Sequence, residues 1–425
     1  MSLSSLRPRP DIIYRHPIWA ILAAFGTYFC MYGFRKPYTV ADFDGYLLWG
    51  IGYKTVLVSS QIIGYALSKF IGIKVISELG NQNRTKILIG FILFAQLMLV
   101  GFGLVPPSFG IIFLFLNGLP LGMVYGIVQS YLEGRKMTEA LIAGLCISFI
   151  LADGFTKTVG SYLLQTGISP FWMPGLAGFL FIIPTMFFIW MLTKIPPPSL
   201  EDEAHRVKRT PLSGKERVVL LKRFGWGIFF IGIAFLLITL LRSFRADFAL
   251  EIWQGLNYKG IPSIFIYSEL WIALGIILSH ALIVLIKSNK KAFFFSLILC
   301  NLGFLLILMA LFAQWRGMDG FWFMVLSGLG IYIPYVTIHT TVFERLIATF
   351  RQEGNIGFFM YIVDSMGYIG YVFLLFSKEF IPKTSVIIYF KYCLILFSII
   401  AILFLIMSII YFQRKLIISS RKVVI

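Results

Sequence analysis

Charge is what this sequence has least of. Only 13% of its 425 residues are Asp, Glu, Lys or Arg, while 59% are hydrophobic and 17% aromatic, with a mean hydropathy of +0.87. Soluble domains carry about a quarter charged residues, so a soluble globular class is excluded. The motifs HExxH, GxSxG, GxxxxGK[ST] and paired CxxC are also missing. Their absence removes the common signatures of zinc proteases, serine hydrolases and P-loop enzymes. The chain is therefore read as a non-enzyme without a cofactor. Cysteine is scarce: Cys30, Cys146, Cys300 and Cys393 each fall inside an apolar run with no metal-ligand spacing. Reduced, packed thiols and no metal site are expected. A cleavable leader is not expected either. Arg7, Arg9 and Arg15 precede a first apolar run long enough to span, and that run leads into Arg35 rather than a small-residue cleavage site.

Long apolar runs are what the chain has in abundance. Crossing the hydrocarbon of a bilayer takes about 20 residues, and twelve runs of that length start near Ile18, Thr55, Ile87, Phe109, Ala140, Phe171, Phe224, Pro262, Ala292, Phe321, Ile356 and Ser385. They are continuous rather than alternating, so they read as helices, not barrel strands. Most connections are short turns. The exception is the basic, polar stretch 194–223, where Pro196-Pro197-Pro198 stops one helix and Ser213 with Glu216 forms a capping box before the next. The expected organisation is an N-terminal six-helix half (1–193), a cytoplasmic basic linker (194–223) and a C-terminal six-helix half (224–425). Lys and Arg concentrate in the N-terminus, the even-numbered loops and the C-terminal tail. By the positive-inside rule both termini are cytoplasmic. The net charge of +18 thus addresses topology and implies no nucleic-acid partner.

The informative residues are the charges inside the apolar runs. A cation at membrane depth costs roughly 2.5–3.5 kcal/mol on insertion scales and faces protein or an aqueous cavity. In the first run Tyr28, Tyr32 and Arg35 follow i, i+4, i+7 spacing and share a face. Lys36 beside Arg35 is read as interfacial. In the second run Gln61, Tyr65 and Lys69 form one polar stripe at i, i+4, i+8. Lys69 is a second candidate cation for a substrate, with an ion pair to Glu133 or Asp153 as the rival reading. The seventh run holds Arg242, Arg245 and Asp247; Arg242 is assigned to a site, Arg245 to the scaffold with Asp247 as its neutralising partner. Glu269 in the eighth run either exchanges protons or locks Arg242. Asp153 and Lys157, at i, i+4 in the fifth run, read as an ion pair. His339 in the tenth run is a coupling candidate because imidazole is the side chain suited to switching near neutral pH, and Asp364, amid Tyr361, Tyr368 and Tyr371, is a cavity-lining candidate. The two halves echo each other: Arg35 and Arg242 occupy matching depths, and Ser60-Gln61 corresponds to Ser268-Glu269, as in a duplicated bundle.

Tyr32, Arg35 and Lys36 as YxxRK, Tyr65 with Ser68-Lys69-Phe70, Leu240-Leu241-Arg242 with Asp247, and Glu269 together resemble the major facilitator superfamily, specifically its organophosphate:phosphate antiporters of the glycerol-3-phosphate transporter type. The likeness is good over 18–86 and 239–275 and is one of hydropathy elsewhere. It implies an all-α membrane protein of twelve transmembrane helices in two pseudo-symmetric six-helix halves. It also implies an anion gripped by Arg35 and Arg242, with Lys69 and Glu269 nearby. Two departures stand out. The loop GIKVISELGNQNRTK has Glu78 where the superfamily pattern has aspartate, and Asp153 stands where those antiporters carry a histidine. The expectation is a monomeric secondary transporter of the cytoplasmic membrane that moves a small organic anion, phosphorylated or carboxylated, by alternating access. The substrate-binding candidates are Arg35, Arg242, Lys69, Tyr32, Tyr65, Gln61, Glu269 and Asp364. Asp153, Lys157, Arg245, Asp247 and His339 are candidates for coupling or gating. The alternative is a transporter-like sensor that binds such an anion without moving it.

Overall fold

The computed structural model describes residues 14, 16–78, 83–132, 138–196, 214–350, 357–378 and 386–421. Among these, twelve long helices follow one another. The first half contains α1 (Pro17–Met31), α2 (Tyr53–Glu78), α3 (Arg84–Leu104), α4 (Pro107–Leu132), α5 (Thr138–Gln165) and α6 (Met173–Thr193). The second half contains α7 (Gly214–Asp247), α8 (Ile264–Val284), α9 (Asn289–Trp315), α10 (Gly320–Thr337), α11 (Gly357–Lys378) and α12 (Val386–Arg421). The only sheet among the described residues is a hairpin of Leu47–Leu48 and Ile51–Gly52.

Nine of these helices, among the described residues, are long and apolar enough to cross a membrane. The exceptions are instructive. Helices α2 and α5 hold Gln61, Lys69, Asp153 and Lys157, whose polarity lowers their hydropathy. In α11 the described apolar part is the short stretch Met366–Ser377. Many large apolar side chains stay outward-facing, Ile183 at 80% and Leu285 at 76% exposed among them, as expected where hydrocarbon is the solvent.

The chain divides into two compact units, Met1–Arg206 with Pro262–Ile266, and Val207–Ile261 with Tyr267–Ile425. In the first, α2 and α4 pack backbone to backbone. A Cβ on Gly118 would lie 2.2 Å from the Gln61 carbonyl oxygen, and one on Gly64 would lie 2.2 Å from that of Phe115. Small residues drive close helix approach in membranes, where apolar burial alone gives no preference for a neighbour over lipid. In the second unit α9 and α10 meet the same way at Gly303 and Gly330. Helix α7 runs unbroken for 34 residues from the basic linker into the seventh apolar run. The Ser213 cap and the Glu216 side chain lie outside the described residues. All four cysteines are free and buried.

Candidate functional site

In the first unit, α1 tightens into a 3₁₀ turn at Tyr32–Phe34 and a second one begins at Pro37. Proline supplies no N–H and restrains the residue before it, so the α-helix cannot continue and Arg35 stands at its C-terminal end. The carbonyls freed there are satisfied by side chains. Asn117 donates to the Phe34 carbonyl at 3.1 Å and to that of Ala95 at 3.0 Å, and Gln61 donates to the Arg35 carbonyl at 3.2 Å. Gln61 also donates to Asn117 Oδ1 at 2.8 Å and accepts from the Tyr38 hydroxyl at 3.2 Å. Both ends of the Gln61 amide are thus committed to protein groups, and it holds the Arg35 backbone in place. The Arg35 guanidinium, 6% exposed, lies 3.9 Å over the Tyr65 ring and 5.8 Å from that of Tyr32. Lys69, half-buried, sits 5.3 Å from the same Tyr65 ring. The polar stripe of α2 therefore does meet the end of α1.

Lys36 corrects the sequence reading. It is buried rather than interfacial, with its ammonium 3.9 Å from Asp153 Oδ1. Pro37 causes this: the turn it enforces carries Lys36 inward against α5. Lys157 bonds the other Asp153 oxygen, so one buried carboxylate faces two ammonium groups. Glu133 lies outside the described residues.

In the second unit Arg242 is half-buried. Its guanidinium lies 4.4 Å over the Tyr335 ring, and Nη2 is 3.4 Å from the Tyr368 hydroxyl. Phe235 stacks on Tyr335 at 5.4 Å, and His339 meets Tyr335 edge-on at 5.5 Å. His339 belongs to a π-turn, Ile338–Val342, that follows Pro334 in α10. Such turns interrupt helices and often occur at functional positions. Thus each unit lays one arginine over tyrosine, a cation–π contact of about 0.5–2 kcal/mol.

Arg245 bonds Glu269 on α8, Nη1 to Oε1 at 2.6 Å, and donates to the Met324 carbonyl at 3.3 Å. Asp247 is buried at 4% exposure and is not the partner in that salt bridge. Glu269 is therefore tied to Arg245 by a direct ionic hydrogen bond. A Cβ on Gly328 would lie 2.8 Å from the Arg245 guanidinium, so only glycine leaves room for this pair against α10. The Asp364 side chain lies outside the described residues. Sequence reasoning missed Asn117, Tyr38 and Tyr335; nothing in their own spacing marks them, because their contacts cross between helices.

Solved structures of transporters share this architecture. A D-xylose-proton symporter matches at a TM-score of 0.62 and 13% identity, covering 92% of this chain and 96% of that one. The xylose transporter XylE from E. coli, in a partially occluded inward-open conformation, matches at 0.63 and 12%, covering 93% and 97%. The fold is therefore that of the major facilitator superfamily, an all-α, multi-pass membrane architecture. No curated protein matches the sequence. Residues 37–415 match a family described as a family of unknown function, DUF5690, and with that much of its length matched the chain belongs to that family.

Proposed function

We propose that this protein is a secondary transporter that moves a small organic anion across the cytoplasmic membrane by alternating access. Both termini face the cytoplasm in this reading, and no enzymatic step is involved. The observation that carries it is the cation-rich interior of the first unit. Among the described residues its buried charged side chains are Arg35, Lys36, Lys54, Lys157 and Asp153. Burying positive charge is costly, and an interior richer in cations than in carboxylates suits an anion better than a cation. A guanidinium fork suits carboxylate and phosphate alike. In the first unit Arg35, flanked by Tyr32, Tyr65 and Lys69, is the candidate ligand of the anion; in the second unit Arg242, flanked by Tyr335 and Tyr368, is the corresponding candidate. Gln61 and the Arg245–Glu269 pair hold the scaffold. Substrate occupancy favours whichever conformation binds it better, which is the basis of the exchange between inward- and outward-facing states.

The xylose transporters handle a neutral sugar by their names. The buried charges here favour an anion instead. The test is a thermal-shift screen of purified protein against phosphorylated and carboxylated metabolites with D-xylose as control, followed by flux in proteoliposomes. A specific ligand raises the melting temperature by mass action. Stabilisation by anions and flux that Arg35→Lys abolishes support the reading. Anion binding without flux would indicate a sensor, and stabilisation by D-xylose alone would refute an anion substrate.

A further inference from the structure

Asp153 occupies an unusual position for a carboxylate in a unit proposed to bind anions. It is 3% exposed and faces Lys36 and Lys157, themselves 6% and 1% exposed. Its two contacts differ. Lys157 lies one helical turn away on α5 and is hydrogen-bonded, whereas the Lys36 ammonium stands at 3.9 Å, beyond hydrogen-bonding distance. Lys36 also arrives from another element. It immediately follows Arg35, at the turn between the two 3₁₀ segments, and Thr39 fastens that turn by donating to the Lys36 carbonyl at 2.8 Å.

From this arrangement we infer that Asp153 is a resident counter-ion which competes with the transported anion for Lys36. This rests on the anion-transport reading and adds a mechanism to it. With the site empty, the Asp153 carboxylate partly neutralises Lys36 and keeps the desolvated ammonium tolerable. When a substrate carboxylate or phosphate arrives, Lys36 exchanges the distant Asp153 contact for a direct one. Lys157 retains Asp153, so the displaced carboxylate stays paired throughout. No proton or bond is transferred; one ionic contact replaces another. The device lowers affinity, which lets the anion leave.

The test is thermal-shift titration of purified full-length protein with sodium phosphate, succinate and acetate. Asp153→Asn is expected to lower the half-saturating concentration of the best of these anions about tenfold, the equivalent of losing one modest competing contact. Unchanged or weaker binding by a folded Asp153→Asn protein overturns the inference. If that variant does not fold, Lys157→Gln is compared with the double variant Asp153→Asn/Lys157→Gln. Tighter binding by the double variant supports competition, and equal or weaker binding overturns it. Failure of the anion-transport reading looks different: neither wild type nor Asp153→Asn then responds to any anion. If wild type responds in an Arg35-dependent way but Asp153→Asn gains nothing, only the competition falls.

Discussion

The two units solve the same problem, charge inside an apolar bundle, in opposite ways. Among the described residues, the first buries four cations with one carboxylate. The second buries Arg245 with Asp247 and Glu269 and leaves Arg242 half-exposed. The second unit is therefore close to internal balance, and one ionic contact, Arg245 to Glu269 at 2.6 Å, is closed within the fold. Among the described residues, the first holds a surplus of buried positive charge. Buried balance serves the scaffold, and buried surplus invites a ligand. Each unit nonetheless keeps one arginine over a tyrosine ring, Arg35 on Tyr65 and Arg242 on Tyr335.

Substitutions break or sharpen this contrast. The largest effect on stability belongs to the second unit: Glu269→Gln breaks the buried ion pair of Arg245 with Glu269, and breaking such a pair costs about 3–5 kcal/mol. A melting temperature lowered by several degrees is expected, and Glu269→Gln combined with Arg245→Met should recover much of it. Next is Arg35→Lys in the first unit. A point charge cannot reproduce a bidentate fork, and losing a charged hydrogen bond costs about 1.5–3 kcal/mol. Anion affinity should fall about 10- to 150-fold with little change in melting temperature, reversing the pattern of Glu269→Gln. Tyr65→Leu and Tyr335→Leu remove the rings beneath the two arginines. Each should weaken anion binding by about 0.5–2 kcal/mol, read by the same titration.

The smallest effect lies outside the membrane. Asp319 caps α10 by accepting from the Phe321 amide at 2.8 Å, and it accepts from the Tyr258 hydroxyl at 2.8 and 2.9 Å. The Tyr258 bond, with backbone N–H groups behind it, holds the Asp319 carboxyl below the ordinary carboxylate range. A depressed folded-state value means that this stabilisation is complete above the ordinary carboxylate range and is lost as pH falls through the lowered value. Asp319→Ala should cost about 1 kcal/mol near neutrality, and the difference from wild type should shrink in acid. Thermal melts at several pH values measure it.

Much of the fold was legible because lipid imposes a simple rule: each crossing needs about 20 apolar residues, and breaks in that pattern mark either loops or sites. Arg35, Lys69, Asp153 and Arg242 drew attention because each interrupts an apolar run. What the spacing could not decide was pairing. Arg242 and Arg245 are one helical turn apart, and nothing in their spacing reveals that Arg245 bonds Glu269 on α8. Lys36 looked interfacial because hydropathy ignores the turn at Pro37 that takes it inward. Asn117 and Tyr335 were invisible for a related reason: an amide and a phenol in apolar helices are ordinary until the partner helix is known.

The most direct measurement of the central idea is counterflow in proteoliposomes loaded with the stabilising anion, run for wild type and Arg35→Lys with D-xylose as a parallel substrate. The prediction is saturable anion exchange in wild type, loss of that exchange in Arg35→Lys, and no D-xylose movement in either. Saturable D-xylose flux that persists in Arg35→Lys, with no exchange of any anion, would contradict a carrier built around buried positive charge.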